Sequence, residues 1–141
     1  MHFEHSSLPR RPVLVTGGLG FIGGHVVDGL IGAGIGDIRV FDNHRRAVTQ
    51  ADAWPVEAVD VVCGDIRDRS ALREALRGCD VVFHLAAQSN VLGAASDPDY
   101  SFTTNVGGTL NVLTVAREEG IRRVVFTSSR EVYGEIGRAH V

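Results

Sequence analysis

The chain predicts a doubly wound α/β fold on a five-stranded parallel sheet, and three observations carry that reading. Short apolar runs recur five times, most of them continuously apolar and so suited to burial on both faces. Helical patterns alternate with these runs, as parallel crossover connections require. The first run passes directly into a glycine turn that opens the first helix.

Val13, Leu14 and Val15 form the first strand, followed by Gly17, Gly20 and Gly23 in G-x-x-G-x-x-G spacing. Phe21, Ile22, Val26, Val27, Leu30 and Ile31 continue at helical spacing and predict a helix over about 21–34. Strand, glycine turn and helix N-terminus in that order make a seat for a phosphate. Free backbone N–H groups face the anion, and the helix dipole adds partial positive charge. Gly17 allows the tight turn, Gly20 lets backbone approach the ligand, and Gly23 lets helix pack on strand.

Ile38 to Asp42 is the second strand, and Asp42 lies 19 residues after Gly23. A dinucleotide site needs a carboxylate there for the adenosine ribose hydroxyls. With 17 glycines in the chain the glycine pattern alone is weak; Asp42 is what gives it meaning. The lysine-bearing phosphate loop is excluded, because all 14 basic residues are arginine.

Residues 43–47 form a polar loop, and Asn43 is placed with the cofactor site. Arg45 and Arg46 are open to two readings, as solvated charges or as contacts to a cofactor phosphate, including the 2′-phosphate of NADP. Asp42 weighs against the second, since a carboxylate repels a 2′-phosphate. Residues 47–57, with Trp54 and Pro55, read as irregular. The third strand runs from Val59 to Cys63 and closes at Gly64 and Asp65. A helix from Asp68 or Ser70 to about Arg77 follows, stopped by Gly78. Val81 to Leu85 is the fourth strand and leads into Ala86 and Ala87. Asp97 and Pro98 start a helix that runs to about Gly120. The fifth strand spans about 121–127. In such sheets ligands lie at the carboxyl ends of the strands, where the glycine turn, Asp42, Asp65, Ala86 with Ala87, and Ser128 with Ser129 all fall.

The length of 141 residues fits one domain, without repeats or low-complexity tracts. Scattered charges and a formal net charge of −3 argue against a nucleic-acid partner. Cys63 and Cys79 read as buried thiols, which fits a reducing, cytoplasmic location. The six dispersed histidines give no expected metal site, and no segment approaches the length of a membrane span. Residues 1–11 read as a disordered tail without a signal-peptide pattern.

Over roughly residues 12–134 the chain resembles the extended short-chain dehydrogenase/reductases, within them the NAD-dependent nucleotide-sugar epimerases and dehydratases of the UDP-glucose 4-epimerase type. The motifs are Thr16-Gly-Gly-Leu-Gly-Phe-Ile-Gly23, Asp42, Gly64-Asp-Ile66, His84-Leu-Ala-Ala87, the 104–111 segment Thr-Asn-Val-Gly-Gly-Thr-Leu-Asn, and Thr127-Ser-Ser-Arg-Glu-Val-Tyr-Gly134. The resemblance implies a Rossmann-type NAD-binding domain, incomplete at its C-terminus, acting on a nucleotide sugar. It implies Gly17, Gly20, Phe21, Ile22 and Gly23 at the pyrophosphate, and Asp65 and Ile66 at the adenine. It further implies Leu85, Ala86 and Ala87 at the ribose and nicotinamide side, Asn105 supporting the active-site backbone, and Ser129 as the catalytic hydroxyl on the substrate. Enzymes of this kind are often homodimers through outer helices, which points to the 97–119 helix.

Two departures stand out. The family's catalytic Tyr-x-x-x-Lys pair is absent, because the chain has no lysine, and a substrate domain is missing as well. Where the sugar dehydratases carry Asp-Glu as acid and base, this chain has Arg130 and Glu131. Arginine does not give up its proton at neutral pH, which favours an epimerase or a related reductase over a dehydratase. Residues 135–141 fit neither the family nor an apolar pattern and match the translation of a common sequencing-library adapter. The expectation is the cofactor half of an epimerase, inactive alone; the rival is a non-catalytic dinucleotide sensor.

Overall fold

A computed structural model of the chain describes residues 12–129. In chain order they form β1 (Val13–Thr16), α1 (Phe21–Gly32), β2 (Ile38–Asp42), β3 (Val59–Cys63), α2 (Arg69–Leu76) and β4 (Val81–His84). Then come α3 (Val91–Ser96), α4 (Pro98–Phe102), a π-helical stretch (Thr103–Gly108), α5 (Thr109–Glu118) and β5 (Arg123–Phe126). The five strands make one sheet in the order β3-β2-β1-β4-β5, and every pairing is parallel. The chain builds outward from β1 to β3 and then crosses back to β4 beside β1, so the strand order reverses between β1 and β4. That reversal opens a crevice at the carboxyl ends of the central strands.

Strand alternation sorts the core into two layers. Leu14, Phe41 and Val82 pack with Ile66, Leu72, Leu76, Val112 and Val115, and so carry α2 and α5. Val15, Val40 and Ile38 pack with Leu19, Val27 and Trp54, and so carry α1. Both faces of the central strands are therefore covered, which accounts for the apolar runs of β1 and β4; β2 is interrupted by Arg39.

The elements start and stop for local reasons. Asp68 caps α2, accepting the N–H groups of Ser70 and Ala71. Helix α1 ends at Gly32, two residues before the expected boundary. Gly34 (φ 83) and Ile35 then donate their N–H groups back to Ile31 and Leu30, a closing turn that needs a left-handed residue.

The structure departs from the sequence reading in four further places. The helix expected over 97–120 is α4, the π-helical stretch and α5, with helical backbone at both junctions. Helix α3 falls where the sequence reading places no element; Asn90 caps it through the Gly93 N–H. The fifth strand is four residues long and outermost on its side of the sheet, with Val125 and Phe126 exposed. Cys79 is buried as expected but Cys63 is exposed, because it ends the other outer strand; both thiols are free. The tails 1–11 and 135–141, and the motif residues Arg130 to Gly134, lie outside the described residues.

Candidate functional site

The site is built outward from the glycine turn. Gly17 has φ 71, and a Cβ there would lie 2.7 Å from the Ala86 nitrogen, so β1's turn is pressed against the segment that leaves β4. At Gly23 a Cβ would run into the Gly17 carbonyl oxygen, so the turn also presses against α1. Gly20 differs. It is the N-cap of α1 in extended backbone, and its Cβ would meet only the Gly17 oxygen at 3.2 Å, which leaves its outer side open. Among the described residues no side chain caps α1, and the N–H groups of Phe21, Ile22 and Gly23 begin the helix without intrahelical acceptors. Phe21 and Ile22 themselves stand 71% and 59% exposed. Of the apolar pattern that predicted α1, these two are surface residues beside the turn and not core.

Asp42 is 8% exposed at the end of β2. Its Oδ2 accepts the Leu19 N–H from inside the glycine turn at 3.1 Å, and its Oδ1 accepts the His44 N–H at 2.8 Å. The second bond belongs to a tight turn with His44 at φ 59. Asn43 continues it, its Oδ1 accepting the Arg45 N–H at 3.0 Å.

The Asn43 Nδ2 donates to Asp65 Oδ2 at 3.0 Å and to the Tyr100 hydroxyl at 3.3 Å. Asp65 also accepts from the Arg67 guanidinium at 3.0 and 2.8 Å and from its backbone N–H at 2.9 Å. Those bonds, the guanidinium's first, hold the Asp65 carboxyl down to about 2. Next to it Ile66 is 4% exposed, its side chain turned into the core against Gly108. Asn111 Nδ2 donates to the carbonyls of Ile66 and Arg67 at 3.1 and 3.3 Å and fixes this loop from α5.

On the other side of the crevice, the N–H groups of Leu85 and Ala86 each donate to Thr16 Oγ1 at 3.3 Å. Leu85 and Ala86 are half-buried, and Ala87 is exposed. Asn105, on the π-helical stretch, brackets the Gln88 backbone. Its Oδ1 accepts the N–H at 2.7 Å, and its Nδ2 donates to the carbonyl at 3.1 Å. Ser129 is exposed beyond β5.

The structure thus joins the expected residues in two groups. Gly17 to Gly23, Asp42 and Leu85 to Ala87 meet around the ends of β1, β2 and β4, and Asn43 meets Asp65 at the ends of β2 and β3. Between the loop after β2 and the segment after β4 lies an open cavity of about 520 Å³, lined by Arg45, Arg46, Ala47, Val48, Gln88 and Gly93. Sequence reading assigned no role to Tyr100, Asn111 or the Thr16–His84 pair. Among the described residues no cluster of three His, Cys, Asp or Glu side chains could hold a metal ion, and no helix is long and apolar enough to cross a membrane.

Comparison with known proteins agrees with this geometry. The model of the NAD dependent epimerase/dehydratase family matches residues 13–140. Over 124 residues the chain is 41% identical to a 3 beta-hydroxysteroid dehydrogenase/Delta 5→4-isomerase of Mycobacterium tuberculosis, covering 85% of this chain and 32% of that protein. It is 38% identical over 125 residues to a UDP-glucose 4-epimerase of Streptomyces lividans, covering 86% and 37% respectively. The crystal structure of the Thermus thermophilus UDP-glucose 4-epimerase in complex with NAD superposes with a TM-score of 0.74 at 34% identity, over 84% of this chain and 37% of that one. The chain spans about a third of the length of the curated relatives it matches. With a parallel, doubly wound sheet of the Rossmann type, a glycine turn tied to an acidic strand end, and a family match over nearly its whole length, the chain belongs to the NAD-dependent epimerase/dehydratase family.

Proposed function

We propose that residues 12–134 are the NAD-binding part of a nucleotide-sugar epimerase that works by transient oxidation of a sugar hydroxyl. The bond from the Leu19 N–H to Asp42 carries the reading. It joins the phosphate seat and the ribose-seeking carboxylate into one rigid piece, with the open side of Gly20 facing outward. The cradle fits a dinucleotide. Gly17, Gly20, Phe21, Ile22 and Gly23 would hold the pyrophosphate, Asp42 and Asn43 the adenosine ribose, and Asp65 with the Ile66 backbone the adenine. Leu85, Ala86 and Ala87 would line the nicotinamide side, with Asn105 holding the backbone that follows them. NAD, when bound, supplies a reversible acceptor for hydride. Ser129 would hydrogen-bond the reacting oxygen of the substrate.

The names of the relatives span sugar-nucleotide epimerases and a hydroxysteroid dehydrogenase, so oxidation at a hydroxyl-bearing carbon is the shared chemistry. We assign the proton-transferring tyrosine and lysine, and the substrate domain, to the part of the protein beyond these 141 residues, and this chain alone is expected to be inactive. The two free cysteines support a reducing, cytoplasmic location. Homodimer formation by the intact protein is supported by Phe102, Val106, Leu110 and Leu113, which form an exposed apolar stripe along the 98–118 helical rod.

Isothermal titration tests the reading. NAD binds, ADP-ribose competes for the same site, and Asp42→Ala weakens both by roughly ten- to a hundredfold, the worth of hydrogen bonds to a charged group. A folded wild-type chain that ignores NAD would sink the proposal.

A further inference from the structure

Arg45 follows the strand end that carries Asp42, and its guanidinium is held by Tyr100 and Asp97. It lies three residues beyond Asp42 and lines the cavity between the loop after β2 and the segment after β4. Its guanidinium carbon sits 3.8 Å from the centroid of the Tyr100 ring, and its Nη2 is 3.9 Å from Asp97 Oδ2. Both partners are presented by one turn, because Asp97 caps α4 by accepting the Tyr100 N–H at 3.0 Å. The ring is fixed in turn: Tyr100 is 8% exposed, and its hydroxyl meets Asn43 Nδ2. Arg67 also approaches the ring, at 4.6 Å, but its guanidinium is committed to Asp65 by two hydrogen bonds.

We propose that Tyr100 and Asp97 are positioning residues that hold Arg45 off the ribose edge beside Asp42 and thereby sharpen the preference for NAD over NADP. The proposal rests on the reading of Asp42 as the ribose carboxylate. Two effects then act in the same direction. The Asp42 charge repels a 2′-phosphate, and Arg45, a cation three residues away, is occupied by an aromatic face and a second carboxylate. A NADP-binding site needs an arginine free at this position. Here the arginine is present and engaged.

The test is the ratio of NAD to NADP dissociation constants, measured by isothermal titration on the chain and its variants. Tyr100→Phe keeps the ring and should keep the wild-type ratio. Tyr100→Leu should move the ratio toward NADP by about two- to fivefold, the worth of a cation–π contact at a half-exposed site. Asp97→Asn retains an N-capping side chain but removes the charge, and should move the ratio the same way. Adding Arg45→Ala to Tyr100→Leu should return the ratio to its wild-type value, whereas adding Arg46→Ala should leave the shift in place. Equal losses for both cofactors in Tyr100→Leu together with an unchanged ratio in Asp97→Asn would overturn the proposal, as would a shift that survives Arg45→Ala. If Asp42→Ala leaves both affinities untouched, the site reading itself fails and this proposal with it. If Asp42→Ala weakens NAD as expected while the ratio stays fixed in the Tyr100 and Asp97 variants, this proposal alone fails.

Discussion

His84 and Thr16 are joined by a hydrogen bond of 2.7 Å, Nδ1 to Oγ1, at the buried carboxyl ends of β4 and β1. Thr16 Oγ1 already accepts the Leu85 and Ala86 N–H groups, so its own proton is directed at Nδ1. The imidazole then carries its proton on Nε2 and donates it to Thr109 Oγ1 at 3.0 Å. One neutral ring therefore ties β1, β4 and α5 together immediately beneath Leu85 and Ala86.

Burial pushes the His84 imidazole down to about 4. The ordinary value near 6.5 applies once the chain unfolds. Between those values the unfolded chain takes up a proton that the folded chain refuses, so acidification favours unfolding. Stability should be fully present above pH 6.5 and fall by about 3 kcal/mol as the pH drops to 4, then level off for this group. Urea titrations across that range, compared with a His84→Gln variant, measure the effect. The variant should be less stable at pH 7 and lose most of the slope between pH 6.5 and 4.

The two glycines Gly23 and Gly34 separate steric from conformational demand. A Cβ at Gly23 meets the Gly17 backbone, whereas at Gly34 nothing lies within 4 Å and only the positive φ resists a side chain. Gly34→Ala should cost about 1 kcal/mol. Gly23→Ala has to push α1 off the turn and should cost about 3 kcal/mol. Thermal melts of the two variants should differ accordingly, and Gly23→Ala should also reduce NAD binding in whatever fraction remains folded.

Asn111 anchors the loop proposed for the adenine from outside the site. Losing its bonds to the Ile66 and Arg67 carbonyls should cost about 1 kcal/mol of stability. Asn111→Leu should weaken ADP-ribose and NAD by a similar factor and leave nicotinamide mononucleotide unaffected, since the loop is proposed to meet only the adenosine end. Equal losses for all three ligands would show that the loop is not confined to that end.

The sheet was legible because its signals are local and redundant. Val13 to Val15, the glycine spacing and the cap at Asp68 each state their role within a few residues, and Asp42 states its own by its fixed distance of 19 residues from Gly23. Side chains that act across the fold were not legible. Arg39 sits inside a strand sequence, yet its guanidinium reaches the Ala75 and Arg77 carbonyls at the end of α2, and only the parallel register of β1, β2 and β4 brings them near. Tyr100 lies inside the expected 97–120 helix and shows no role in the sequence, because nothing nearby in the chain shows that Arg45, Arg67 and Asn43 converge on it. The π-helical stretch escapes a sequence reading because one widened turn leaves the apolar spacing of a long helix almost unchanged.

That widened turn carries the last prediction. Asn105 lies within it and holds both polar groups of the Gln88 backbone, where the chain leaves Ala87 and starts toward α3. Asn105→Ala removes both bonds, leaving Gln88 paired only to whatever solvent reaches it, at about 1 kcal/mol for each bond lost. The loss should be local, because Ala86 remains tied to Thr16 and the core beneath it is unchanged. Amide hydrogen exchange over residues 88–93 should then quicken by roughly ten- to thirtyfold, while β1, β2 and β4 keep their protection. ADP-ribose should bind as before and NAD less tightly, since the disturbed segment is proposed to flank the nicotinamide side alone. Exchange that rises throughout the sheet would instead make Asn105 a support of the whole fold.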